Sequence, residues 1–389
     1  MIEQPLTLIL VTTTRADWGI LSPLARALTS QPGVRLVVAA GNMHLSPQYG
    51  HTIDEIFADG FNEVEALDTA EADTTPASRT RIAARTAESL ARLIERVNPD
   101  GVILLGDRYE ILGAATAALI ANVPIVHLHG GEISEGAIDN QIRHAVSKMA
   151  SLHLVATAQS ASRLQSMGED PDRIVHTGAI GVENITKARL LPLEEVEDFL
   201  DGFRIDPDNT LLVTFHPVTR HPGDITTVQQ IDNLLGALHD VPECRAVVTF
   251  PNNDTGSEII IERICDFARR NPDRIKLVKS LGNKRFLTLM HNVRAMVGNS
   301  SSGIIEAPSA GIATINIGPR QQGRERAASV RDVPDSRADI AQAIRDVLGE
   351  SREKSQQVVN PYYRKDSVAR AVTAITELLP RLSTVKKHN

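Results

Sequence analysis

Cysteine is scarce in this chain: only Cys244 and Cys265 occur among 389 residues. Neither sits in a CxxC pair, which argues against a disulfide scaffold and against a Cys-based zinc site. No apolar run reaches the roughly 20 residues needed to span a bilayer. The N-terminal stretch MIEQPLTLILVTTTRADWG has no basic start followed by a small-residue cleavage site. Its apolar part therefore reads as a buried strand, and a reducing, cytoplasmic setting is expected. The net charge of −7 comes without a basic block, so neither nucleic acid nor a membrane is an expected partner. No G-x-G-x-x-G follows the first apolar run, which disfavours a nicotinamide or flavin enzyme, and no Walker A sequence occurs. His127 and His129 stand at i, i+2 and could share a metal, but the nearby acids lack ligand spacing. No metal and no cofactor are expected. A mildly acidic chain can still hold a phosphorylated ligand, because backbone N–H groups and a few Arg or His residues suffice.

What is present is an alternation of short β-branched runs with longer amphipathic segments. LTLILVTTT (7–14 at its core), VRLVVAAG (34–41), GVILLG (101–106), PIVHLH (124–129), LHLVAT (152–157) and RIVHTGA (173–179) read as strands. TLLVTFH (210–216), CRAVVTFP (244–251), RIKLVKS (274–280), AMVGNS (295–300) and ATINIG (313–318) repeat the pattern. Continuous apolar runs mark strands covered by helices on both faces. A single core rarely grows past about 250–300 residues, so the chain is read as two domains. The expectation is an α/β protein of two doubly wound, Rossmann-like domains with a cleft between them. The N-terminal domain is placed at 1–185, the C-terminal domain at 186–365 and a terminal helix at 366–389, with the charged segment 190–208 as linker. The terminal helix is expected to cross back to the N-terminal domain.

In open α/β sheets ligands bind beyond the carboxyl ends of the strands, so the residues after each run carry the chemistry. Arg15 follows the first strand and suits a phosphate or a sugar hydroxyl. It reads equally well as a surface arginine beside a helix cap at Asp17. Asp107 follows GVILLG, Glu132 follows PIVHLH and two glycines, and Asp139 opens the next helix. Asp107 or Asp139 alone would pass for an N-cap. Three acids at neighbouring strand ends are more specific, because like charges and burial separate carboxylate pKa values into acid and base. His216 follows TLLVTFH and can donate to a phosphate or move a proton, or simply close a strand end. Ser301, Ser302 and Gly303 begin a helix after AMVGNS, where small residues make an anion site. Glu306 is placed one turn inside that helix, where a carboxylate could accept both ribose hydroxyls.

TTTRADWG (12–19), GNMHLSPQYG (41–50), LGDRYE (105–110), HLHGGEISEGAIDNQIRHA (127–145), FHPVT (215–219), FPNND (250–254), GNSSSGIIEAPSAG (298–311) and GPRQQGRE (318–325) together carry a resemblance over nearly the whole length. The chain resembles the hydrolysing UDP-N-acetylglucosamine 2-epimerases of bacterial sialic-acid and related nonulosonic-acid pathways. The resemblance implies the GT-B fold, a UDP-amino-sugar substrate and a homo-oligomer, either a dimer or a dimer of dimers. It implies UDP on the C-terminal domain, with Ser301, Ser302 and Gly303 at phosphate and Glu306 at ribose. Arg15 and His216 would meet the diphosphate. Substrate contacts are further expected at His44, Asn253 and Arg320, with His44, Ser46 or His221 discriminating at C4 and C6 of the sugar. Asp107, Glu132 and Asp139, with His216, are the implied catalytic set. Ile138-Asp139-Asn140, in place of a P-E-E segment, and GGE, in place of E-A-G, resemble the hydrolysing branch. A glycosyltransferase of the same fold, a non-hydrolysing epimerase and a catalytically dead nucleotide-sugar sensor are the competing readings.

Overall fold

The computed structural model describes residues 5–47, 50–69, 75–135, 138–187, 190–218, 225–252, 254 and 256–384. The chain divides into two compact units. The first comprises Met1–Glu132, Asp139–Asn184 and Tyr362–Asn389, and the second Ile133–Ile138 and Ile185–Pro361.

The first unit holds a seven-stranded parallel sheet. Its strands are β1 (Leu6–Thr12), β2 (Val34–Ala40), β3 (Val64–Ala66), β4 (Gly101–Leu105), β5 (Ile125–Leu128), β6 (Leu152–Val155) and β7 (Ile174–His176). They lie in the order β3-β2-β1-β4-β5-β6-β7. The order reverses between β1 and β4, which makes the carboxyl edge of those strands the switch point of a doubly wound sheet. Successive residues of each strand feed different cores. Leu8, Leu10, Ile103 and Leu105 enter one apolar cluster, while Ile9, Val11, Val102 and Leu104 enter another on the opposite face. That two-sided burial is why these strands read as unbroken apolar runs.

The helices that cover this sheet start with local signals. In α1 (Arg15–Thr29) Thr14 is the N-cap and Asp17 completes a capping box. Asp17 is thus the third residue of the helix and not its cap. In α3 (Pro76–Val97) Thr75 caps and Pro76 takes the first position, while Asn98 closes the helix in a left-handed conformation at φ 48°. The remaining helices of this unit include α4 (Tyr109–Ile120), α5 (Asp139–Met149), α6 (Ala158–Ser166) and α15 (Ser367–Thr384). Ala371, Val372, Ile375 and Leu379 of α15 join the same apolar cluster as Trp18, Leu21 and Leu24 of α1.

The second unit repeats the plan. Its strands are β8 (Thr210–Thr214), β9 (Arg245–Thr249), β10 (Ile275–Val278), β11 (Ala295–Gly298), β12 (Ala313–Ile317) and β13 (Val330–Val333). They are parallel in the order β10-β9-β8-β11-β12-β13, again reversing between the first and fourth strands. Gly298 stands at this switch point with φ 137°, and a Cβ there would fall 1.9 Å from the carbonyl oxygen of Thr214. Only glycine lets β11 approach β8 so closely.

The segment 190–208 is not a linker. It forms α8 (Leu193–Phe199), and Val196, Leu200, Phe203 and Ile205 are buried in a core of the second unit. Its acids mask an apolar stripe at helical spacing. Among the described residues no helix is long and apolar enough to cross a membrane.

Candidate functional site

In the first unit the polar groups gather at the carboxyl edge of β4 and β5. Leu105 pairs with Leu128, so the residues that follow these two leave the sheet side by side. Asp107 does not cap α4, whose N-cap is Arg108. Instead its carboxylate is ion-paired with Arg143 of α5, a guanidinium only 1% exposed. The other terminal nitrogen of Arg143 donates to the carbonyl of Glu132 at 3.0 Å. One buried arginine therefore ties the Asp107 carboxylate to the backbone that carries Glu132. Asp139 is the first residue of α5 and is half-buried. It lies one turn before Arg143, hence on the same helix face.

Glu132 is buried, and its Oε1 lies 2.6 Å from Nδ1 of His129. Gly131 makes this turn possible: its φ is 76°, and a Cβ would fall 2.4 Å from the carbonyl of Ser160. His127 is buried with both ring nitrogens against protein atoms. Its Nε2 faces the carbonyl of Gly106 at 2.8 Å and its Nδ1 the hydroxyl of Ser147 at 3.2 Å. Burial pulls its pKa down to about 4, so the ring is neutral at pH 7. Among the described residues no group of three His, Cys, Asp or Glu is arranged to hold a metal ion.

Arg15 occupies the first position of α1, half-buried, and burial lowers its pKa against the raising influence of Glu55. His44 lies elsewhere in chemical character. It sits in a short 3-10 turn, Asn42–Leu45, wholly buried between the hydroxyls of Thr12 (3.0 Å from Nε2) and Thr52 (2.8 Å from Nδ1). Burial takes its pKa down to about 4. Both ring nitrogens of His44, the residue expected at the sugar, thus lie against threonine hydroxyls of the first unit.

In the second unit the switch point of the sheet is bridged by one asparagine. Asn299, the residue after β11, accepts from the backbone N–H of His216 at 2.7 Å and donates to its carbonyl at 2.8 Å. His216 is the second residue after β8, and its ring Nδ1 accepts from the backbone N–H of Asn252 at 3.2 Å. That acceptor role fixes the tautomer: a neutral His216 carries its proton on Nε2 and presents a donor there. The carbonyl of Asn299 in turn accepts from Arg320 at 3.1 Å and from Gln321 at 2.9 Å. Ser300 then caps α12 (Ser301–Ile305), where Ser301 and Ser302 are half-buried and Gly303 is buried. Glu306 is not inside this helix; the helix is five residues long and Glu306 closes it. Asn253 and His221 lie outside the described residues.

The sequence pattern of the UDP-N-acetylglucosamine 2-epimerase family matches residues 26–376. The chain belongs to that family. Polysialic acid biosynthesis protein P7 of Escherichia coli is 33% identical over 374 residues, covering 95% of this chain and 93% of that protein. UDP-N,N'-diacetylbacillosamine 2-epimerase (hydrolyzing) of Legionella pneumophila is 34% identical over 354 residues, covering 89% and 90%. Among solved structures, UDP-GlcNAc 2-epimerase from Neisseria meningitidis bound to UDP-GlcNAc superposes with a TM-score of 0.80, at 16% identity, over 95% of this chain and all of that one. This likeness establishes the fold as GT-B-like.

Three residues of this epimerase's candidate site escaped the sequence reading. Arg143 and Asn299 were visible in their motifs, but their partners lie 36 and 83 positions away, counted to Asp107 and His216. The sequence offers His129 only as a partner of His127 on one strand face. The i, i+4 spacing of Asp139 and Arg143 was the available signal for the first of them.

Proposed function

We propose that this chain is a hydrolysing 2-epimerase that converts UDP-N-acetylglucosamine and water to UDP and N-acetylmannosamine. The observation that carries the reading is the Asp107 carboxylate held by buried Arg143, which also holds the backbone carbonyl of Glu132, at the carboxyl edge of one parallel sheet. C2–H of the sugar has no neighbouring carbonyl and is not acidic. Loss of UDP from C1 builds positive charge there and acidifies C2–H, so a base can remove that proton. The product is 2-acetamidoglucal. Water then adds at C1 while an acid delivers hydrogen to C2 from the opposite face. Two proton-transfer groups near C2 and a third that manages water are needed. Asp107 and Glu132 serve the C2 transfers, Asp139 serves the hydration, and Arg143 fixes the first two in register. In the second unit His216, a donor through Nε2, and Arg320 suit the phosphates, with Ser301, Ser302 and Gly303 beside them and Glu306 suited to ribose hydroxyls. Arg15 is the first unit's cation suited to phosphate.

A second reading keeps this chemistry and changes the sugar to the 2,4-diacetamido-2,4,6-trideoxy form of the UDP-linked substrate. The names borne by the relatives from Legionella pneumophila and Campylobacter jejuni, 34% and 33% identical, favour it. Incubation of both UDP-sugars in heavy water decides between them and tests the mechanism. UDP, with an inverted free sugar carrying one deuterium at C2, is the expected result. An inverted product without deuterium rules out elimination, and an intact UDP-linked epimer rules out hydrolysis. Asp107→Asn should lower turnover by at least about a hundredfold while UDP still binds.

A further inference from the structure

We propose that His129, oriented by Glu132, is the base that removes the C2 proton, and that Glu132 acts through this imidazole. The inference rests on the epimerase reading above and assigns one of its proton transfers to a different atom.

Three observations lead to it. First, Glu132 and His129 form a close pair, with Oε1 2.6 Å from Nδ1 in a setting where both residues are buried. Second, the other ring nitrogen, Nε2, is buried and has no hydrogen-bond partner among the described residues. Third, His129 holds a left-handed backbone at φ 62° immediately after β5, the strand next to β4 and Asp107. A non-glycine residue in that conformation is uncommon, although Asn, Asp and His adopt it more readily than most.

The chemistry follows from where the ring protons lie. A carboxylate at 2.6 Å from Nδ1 takes a proton donor there, so Nδ1 carries the hydrogen. The alternative would leave Nε2 as a buried, unpaired N–H, and such orphan donors are rarer than under-used acceptors. The neutral ring therefore presents a lone pair at Nε2, with a carboxylate behind it. A carboxylate held on Nδ1 fixes the tautomer and stabilises the imidazolium that forms when Nε2 takes a proton. In the elimination, the lone pair of Nε2 accepts the hydrogen from C2. The C–H electron pair becomes the C1–C2 double bond, and the C1–O pair leaves on UDP. The proton stays on the ring, its charge balanced by Glu132.

The groups around this pair are named by their contacts. His127 precedes on β5 and interacts electrostatically with His129, and His153 lies across on β6. Arg143 contacts the Glu132 carbonyl and Asp107, and Arg163 of α6 contacts the carbonyl of Gly131. Among the described residues Glu132 is the carboxylate paired with the His129 ring.

The test compares His129→Asn with Glu132→Gln in steady-state kinetics across pH, with UDP binding and melting measured alongside. Asparagine tolerates φ 62° and keeps an N–H to offer Glu132, so it preserves the support of Glu132 and removes only the Nε2 base. Expected results are a fall in kcat of about 1000-fold or more for His129→Asn, and of about 100-fold for Glu132→Gln. In Glu132→Gln the loss should fall on kcat, with KM and UDP affinity changed less than about threefold, because the carboxylate acts only through the ring. A purely structural role for Glu132 would instead raise KM and weaken UDP binding together with the loss in kcat. The assignment is overturned if His129→Asn keeps more than a tenth of wild-type turnover, or if Glu132→Gln is the more damaged variant. Should His129→Asn fail to fold, His129→Gly, which the same φ favours, is assayed with added imidazole. Restored turnover supports the base role, and a folded glycine variant without restoration overturns it. Wild-type enzyme that releases no UDP from either UDP-sugar defeats the epimerase reading as well, whereas an active wild type with an active His129→Asn defeats the dyad alone.

Discussion

Two buried neutral histidines should make the first unit acid-labile well before its carboxylates titrate. His44 and His127 both have folded pKa values near 4, set mainly by burial, against about 6.5 in an unfolded chain. Because the folded value is the lower one, the unfolded chain takes up the proton first. The stability is therefore complete above about pH 6.5 and is lost as pH falls from there towards 4, where the loss levels off. Between pH 7 and pH 5 each ring should cost about 2 kcal/mol, or about 4 kcal/mol together. That is a large share of the roughly 5–15 kcal/mol of a typical domain. The assay is urea unfolding followed by tryptophan fluorescence. Trp18, the one tryptophan of the chain, is buried in the core of the first unit and reports that unit alone. A stability that stays flat from pH 7 to pH 5 would refute the reasoning. So would a His127→Gln variant with an unchanged pH slope, since removing either ring should reduce that slope by about half.

Four further outcomes are expected. Arg143→Met strands the Asp107 carboxylate and the Glu132 carbonyl, and should destabilise the first unit by about 3 kcal/mol, with Asp107→Asn in the same chain recovering part of the loss. Unfolding of the two single variants and the double variant, completed as a cycle, measures that coupling. Gly298→Ala should destabilise the second unit by about 3 kcal/mol or more, because the new Cβ meets the Thr214 carbonyl. Gly282→Ala, at φ 64° with nothing nearer than 4.0 Å, should cost only about 1–2 kcal/mol on the same unfolding curve. His216→Ala should weaken UDP binding by about tenfold to a hundredfold in calorimetry, the worth of one donor to a charged oxygen.

The alternation of apolar runs with amphipathic segments determined, without any coordinates, that two parallel sheets form and that their carboxyl edges carry the polar motifs. Strands buried on both faces announce themselves because most of their residues are apolar whichever face they point to. The edge strands β3 and β13 did not, since each is short and half-covered and reads as ordinary loop sequence. The helix at 193–199 was hidden by its acids until its apolar side was seen in a core. Tertiary structure alone decided which strand-end residues touch. The Asp107 carboxylate and the Glu132 backbone share Arg143, and His216 meets Asn299 across the turn of a sheet, because the doubly wound order places sequence-distant strands side by side. It also decided that His44 spends both ring nitrogens on threonines while His129 keeps one, a difference set by neighbours that no spacing along the chain records.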